Sequence, residues 1–149
     1  MWIDQRGSEV LAVPECFRLL AHGVQSMGFG RLGVSTAQAP VVVPVNYAVR
    51  DREVLVRIGM GFLLQAAGGE LVAFEVDEID LEGGVAWSVL VRGLATVIGE
   101  PTGADIDAAP TPSVPSPGDR ILSIRPDVVT GRRFPLLAGA APGDVARST

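Results

Sequence analysis

The residues of this chain whose types and spacing could do chemistry point to an anion site rather than to proton transfer. Residues Val54 to Glu70 read VLVRIGMGFLLQAAGGE: a strand-like run carrying Arg57, a glycine turn at Gly59-Met60-Gly61, then a short apolar helix. A guanidinium beside closely spaced glycines can converge with backbone N–H groups on a phosphate or carboxylate. On spacing alone, an exposed strand arginine before a flexible turn fits equally well. A second glycine motif, GFGRLG at Gly28 to Gly33, matches the dinucleotide-binding GxGxxG pattern in its letters. Its neighbours are in the wrong order, a helical pattern before and an apolar strand after. No helix N-terminus is left to hold a pyrophosphate, and the motif reads as a turn into a strand.

Other chemistries lack their parts. The single histidine, His22, falls on a predicted helix with no serine of nucleophile-elbow type nearby, and reads as a surface or helix-end residue. One cysteine, Cys16, and one histidine cannot supply a structural zinc set, so no metal is expected. Glu75, Asp77, Glu78, Asp80 and Glu82 form an acidic cluster at the end of a predicted strand, a position that fits a solvated loop or a dimer-contact edge better than a cation site.

Composition bounds the partners. A formal net charge of −5 and a pI near 4.8 leave no basic field for nucleic acid or anionic lipid. No apolar run reaches the roughly 18 residues of a membrane helix. The opening MWIDQRGSEVLAV lacks a basic n-region followed by an apolar stretch, and Cys16 has no internal disulfide partner, so a cytoplasmic protein is expected. The 149 residues suffice for one domain, while 48% hydrophobic residues and a mean hydropathy of +0.36 are high beside 19% charge. Such an excess suggests apolar surface covered by a second copy, hence a homodimer.

The elements that must position Arg57 are mostly strands. Pro14 to His22 is a predicted helix, with Pro14 in its first turn and Val13, Phe17, Leu20 and Val24 as its apolar stripe. Short runs rich in Val, Ile and Leu follow at Gly30 to Ser35, Pro40 to Val49, Glu53 to Ile58, Leu71 to Val76 and Trp87 to Ile98, and read as strands. Arg50 to Glu53 is short enough for a hairpin turn, making its flanking strands antiparallel neighbours. A Pro-rich stretch, residues 100–119, reads as an exposed loop. Arg120 to Arg125 is a sixth strand and Val128 to Phe134 a candidate seventh. A single domain over residues 1–137, with a flexible tail at 138–149, is expected.

In this order the blocks become specific. GRLGV, PVVVPVNYAV, VLVRIGMGFLL, VAFEVDEID, WSVLVRGLATVI and IRPDVVTGRRF, spread over roughly residues 10 to 134, together resemble the pyridoxamine 5'-phosphate oxidase-like, FMN-binding split-barrel family. The resemblance implies a mainly β fold, a six-stranded antiparallel split β-barrel of Greek-key type, homodimeric, with FMN at the subunit interface. It places Val43, Pro44, Val45, Asn46 and Tyr47 along the flavin ring, mostly through backbone groups. It places Arg57, Ile58, Gly61 and Leu63 in the phosphate block, and the segment Thr130 to Arg133, with Arg132, on the flavin's other side.

The chain departs from that pattern where the phosphate would bind. The family block reads like R-T-x-x-G-[ST]-K-L, whereas here the hydroxyl position is Ile58, the small residue after Gly61 is Phe62 and the lysine position is Leu63. Two charge-assisted hydrogen bonds at about 1.5–3 kcal/mol each amount to a loss of roughly 3–6 kcal/mol, or about two to four decades of affinity. Pro115 stands near a position where relatives often carry a tryptophan. Two functions follow from the resemblance. One is an FMN-dependent oxidoreductase of unread substrate, with a deazaflavin as the alternative cofactor and no side chain identified as acid or base. The other is a split-barrel dimer that has lost the flavin and acts as a binding or structural protein. Pyridoxamine phosphate itself is disfavoured as substrate, because a second phosphate would need another cationic cluster.

Overall fold

The computed structural model describes residues 2–59, 61–99 and 118–136, so most of the Pro-rich stretch and the C-terminal tail lie outside the described residues. In chain order the elements are β1 (Trp2–Ile3), β2 (Glu9–Val10), α1 (Val13–Ser26), β3 (Phe29–Val34), β4 (Val41–Arg50), β5 (Glu53–Ile58), α2 (Phe62–Ala67), β6 (Leu71–Asp80), β7 (Val85–Gly99) and β8 (Arg120–Pro135). Six strands close a barrel in the order β3-β4-β5-β8-β7-β6 and back to β3, every pairing antiparallel. β3, β4 and β5 follow one another, and β6 returns through α2 to lie beside β3, which is a Greek key. The expected six-stranded barrel and Greek key are both present. The short β1–β2 hairpin, for which the N-terminal sequence carries no strong strand signal, extends the sheet along the far end of β8.

The expected sixth and seventh strands are one strand. Pro126 and Asp127 suggested a break, but β8 runs through them with a register shift opposite Arg92 and Gly93. A bulge tolerates a residue that cannot donate to the ladder. Gly93 makes room for it, since a Cβ there would stand 2.0 Å from the Arg125 carbonyl oxygen.

The barrel interior is filled from all six strands, including Leu32, Tyr47, Val56, Phe74, Val91 and Leu122. Helix α1, opened by Pro14 in its first turn, adds a buried face of Cys16, Leu19, Leu20 and Gly23. That face is rotated from the predicted stripe: Phe17 and Val24 pack at its margin, and Val13 is exposed. The Tyr47 hydroxyl donates to the Leu20 carbonyl at 2.7 Å, tying the helix to β4.

Candidate functional site

The barrel opens along one half of β4. Its residues Val41–Asn46 pair with β3, but pairing with β5 begins only at Asn46, opposite Arg57, and runs to Arg50. From Val41 to Val45, therefore, the edge of β4 that faces away from β3 has no strand partner among the described residues. Along such an edge alternate residues direct N–H and C=O groups outward, where a planar polar molecule can accept and donate. Beyond the fork β5 ends at Ile58, and the chain passes Gly59 and Gly61 into α2. Gly61 has φ +118, a left-handed conformation that suits glycine.

Side chains on β4 divide by face. Val45 and Tyr47 are buried in the core and Val43 packs against it, whereas Val42 and Pro44 are exposed and Asn46 is half-buried. The Tyr47 ring lies 5.1 Å from that of Phe74, and burial, reinforced by the Glu78 charge, pushes its phenol well above the usual range. Tyr47 therefore works as a neutral structural group. Within the Val43–Tyr47 block, a ligand on the outer surface meets backbone, Pro44 and Asn46.

Arg57 stands at the fork with its side chain 15% exposed. Its Nε donates to Asp119 Oδ2 at 2.8 Å, and the Asp119 side chain is 9% exposed. The terminal Nη1 and Nη2 make no hydrogen bond among the described residues. Beside it Gly59 and Gly61 are exposed, and among the described residues nothing lies within 4 Å of where a Cβ would stand at either. Ile58 is 3% exposed and Leu63 packs against the core, while Phe62 is exposed. Of the two positions where the family pattern carries a hydroxyl and a lysine, Ile58 is thus built into the core and Leu63 packs against it half-buried.

Arg132 lies elsewhere. Arg57 is opposite Ile121 at the start of β8, and Arg132 is opposite Ser88 and Val10, eleven residues further along the strand. At the rise of an antiparallel strand that is roughly 36 Å of chain. Within one chain Arg57 and Arg132 therefore stand beside opposite ends of β8. Arg132 Nη1 donates to Asp4, and Arg133 donates to Glu9 at 3.2 Å and to Glu15 at 2.7 Å. These carboxylates belong to the N-terminal hairpin and to α1, elements that anchor this end of β8.

The remaining candidates resolve as structure. Gly30 and Gly33 of the GFGRLG motif lie within β3, Gly30 paired with Val45 of β4 and Gly33 with Val42 of β4 and Ala73 of β6. His22 Nε2 lies 3.2 Å from Glu78 on the surface. The acidic cluster is mostly strand rather than loop, with Arg31 on β3 reaching Glu75 at 3.3 Å and Asp77 at 3.1 Å. Burial, with Asp77 alongside, pushes the Glu75 carboxyl up to about 7, and its Oε1 has no hydrogen-bond partner. Cys16 is fully buried and its thiol is pushed up by burial. Among the described residues no group of His, Cys, Asp or Glu could hold a metal, and no helix is long and apolar enough to cross a membrane. An open groove of about 510 Å³ on the outer surface is lined by Val42, Leu71, Arg92 and Val128, of which Val42 and Leu71 are two-thirds exposed.

Two features of the site escape sequence reasoning. Asp119 sits at the end of a Pro-rich stretch with no local pattern to distinguish it, and the unpaired edge of β4 is a property of register. Only the hairpin spacing at Arg50 to Glu53, which starts the β4–β5 pairing at the far end from the fork, hints at the second.

The family model for pyridoxamine 5'-phosphate oxidase matches residues 13–133. An uncharacterized protein of Mycobacterium tuberculosis is 34% identical over 127 residues, covering 80% of this chain and 81% of the relative. Among solved structures, the FAD binding protein from Mycobacterium smegmatis is 32% identical with a TM-score of 0.67, covering 85% of this chain and 99% of that one. A FAD-binding protein from Mesorhizobium loti, 24% identical with a TM-score of 0.66 over 85% of this chain and 97% of that one, shares the fold.

Proposed function

The chain belongs to the pyridoxamine 5'-phosphate oxidase family, and from that premise we propose that it is a flavin-dependent oxidoreductase. The observation that carries the reading is the unpaired edge of β4 at Val41–Val45 running into Arg57. A flavin ring has polar atoms along its edges and apolar faces, which suits exposed backbone groups flanked by Val42 and Pro44. Its phosphate end would reach Arg57 Nη1 and Nη2 beside the exposed Gly59 and Gly61. Bound there, the flavin supplies hydride or single-electron transfer. The protein supplies orientation through β4 and charge through Arg57.

Arg132 takes part only if a second copy delivers it, because within one chain it stands at the opposite end of β8. We propose a homodimer in which the apolar surface around Val42, Leu71, Leu94 and Val128, each at least 40% exposed, is covered by the partner. The FAD-binding relative from Mycobacterium smegmatis, at 32% identity, supports the flavin reading. The substrate we propose is a small molecule other than pyridoxamine phosphate, because a second phosphate would need another cationic cluster and Arg18, Arg31, Arg132 and Arg133 are each already paired with a carboxylate.

The test is the visible spectrum of the purified protein, followed by flavin titration read by fluorescence. A yellow chromophore, or a dissociation constant in the micromolar range or tighter, is the expected result. A colourless protein that takes up no flavin sinks the proposal in favour of a cofactor-free dimer.

A further inference from the structure

We propose that Arg92 and Asp127 form a reciprocal ionic lock between two copies of this chain: across a twofold axis the Arg92 guanidinium of each protomer pairs with the partner's Asp127 carboxylate. This rests on the homodimer proposed above and names the side chains that select a second copy as the occupant of the apolar face. The groove of about 510 Å³ on that face is walled by Val42, Leu71, Ala73 and Val128, and among its described lining residues Arg92 and Asp127 are the two that carry charge. Both are exposed, and neither side chain makes a hydrogen bond or an ion pair with a described residue. On the neighbouring strands charges are answered within the chain, Arg31 of β3 meeting Glu75 and Asp77 of β6.

The sheet sets the two charges side by side in apolar surroundings. Arg92 is opposite Val128 in the β7–β8 ladder and Gly93 is opposite Pro126, which leaves Asp127 as the extra residue of the bulge. Across the sheet Arg92 lies between Ala73 and Val128, and along its own strand Leu90 and Leu94 share its face. When a second copy covers Val42, Leu71, Leu94 and Val128, water leaves the groove, and a charge buried there without a partner is strongly unfavourable. A twofold interface brings the same patch of both copies together. A patch that holds one cation and one anion next to each other is then self-complementary, whereas a register that set Arg92 against the partner's Arg92 would be repelled. Each copy supplies both halves, so two equal pairs form and every substitution acts twice. The groove begins at Val41 and Val42 on the unpaired edge of β4, so the copy seated here also stands beside the edge assigned to the flavin.

The experiment reverses the two charges one at a time in the full chain and follows assembly by analytical ultracentrifugation. Wild type should sediment as a dimer at micromolar concentration. Arg92→Asp and Asp127→Arg should each weaken the dimer by about a hundredfold or more, because each brings like charges together at two places. Mixed with one another, the two variants should form a heterodimer, since each charge of one chain then faces its opposite in the other. A pair closed within a single protomer would give no such recovery. Either variant dimerising as tightly as wild type, or two folded variants that do not combine, overturns the inference while leaving a homodimer. Should a reversal fail to fold by itself, co-expression of the two variants with different tags decides by the same criterion, with a tagged heterodimer expected and its absence overturning the inference. A monomeric wild type overturns the homodimer reading and this inference with it.

Discussion

The two ends of β8 each hold arginines against carboxylates, and they use them differently. At the far end, Arg133 spends Nη1 and Nη2 on Glu9 and Glu15, and Arg132 spends Nη1 on Asp4. Those donors are consumed in fastening the N-terminal hairpin and α1 to the sheet. At the near end, Arg57 spends only Nε, on Asp119, and keeps its terminal nitrogens beside an unpaired strand edge and two open glycines. Arg57 and Arg132 each use one nitrogen, so what separates the two ends is the surroundings: Arg57 stands beside an unpaired strand edge, whereas Arg132 stands beside Arg133, whose terminal nitrogens are both taken by carboxylates.

The comparison breaks most readily at Arg57. Arg57→Ala removes the guanidinium that pairs with the Asp119 carboxylate at 2.8 Å, at a cost of about 2 kcal/mol in stability. It should also abolish measurable flavin binding. Urea denaturation and flavin titration on one preparation check both, and a variant that loses stability yet binds flavin as before would remove Arg57 from the site. Arg133→Ala should cost about 1 kcal/mol, because its pairs are partly solvated. Its flavin affinity should stay within about threefold of wild type, and a larger fall would mean that the far end also serves the ligand.

The smallest effect is acid sensitivity at the far end. Hydrogen bonds from Arg18 and Arg133 hold the Glu15 carboxyl at about 2, below its ordinary 4.5. A depressed folded value means that the unfolded chain binds the proton first. This stability is present above pH 4.5 and is lost as pH falls from there toward 2. Thermal melting of wild type beside Glu15→Gln should show curves that converge across that window. Parallel curves would mean that Glu15 contributes no such pH dependence.

Much of the barrel was legible because alternation along a strand is a local property. The runs at Gly30 to Ser35, Glu53 to Ile58 and Trp87 to Ile98 became β3, β5 and β7 with small shifts of boundary. The short β1–β2 hairpin was not legible, since strands of two residues carry no period and exist here only by pairing with β8. Nor was the continuity of β8 through Pro126, which depends on Gly93 across the ladder.

By themselves, hydrophobic period and turn chemistry determined the short strands and put Arg57 beside a glycine turn, because both act over a few residues, while the Greek-key barrel was implied by the resemblance of the ordered blocks to a known family. Ile58 and Leu63 likewise announced in their own types that two phosphate donors were missing. Only the tertiary structure decided the rest: that β4 parts from β5 at Asn46, that Asp119 closes on one side of Arg57 across 62 residues, and that Arg132 stands at the other end of its strand. These are matters of register and of contacts between distant segments, which no local pattern encodes.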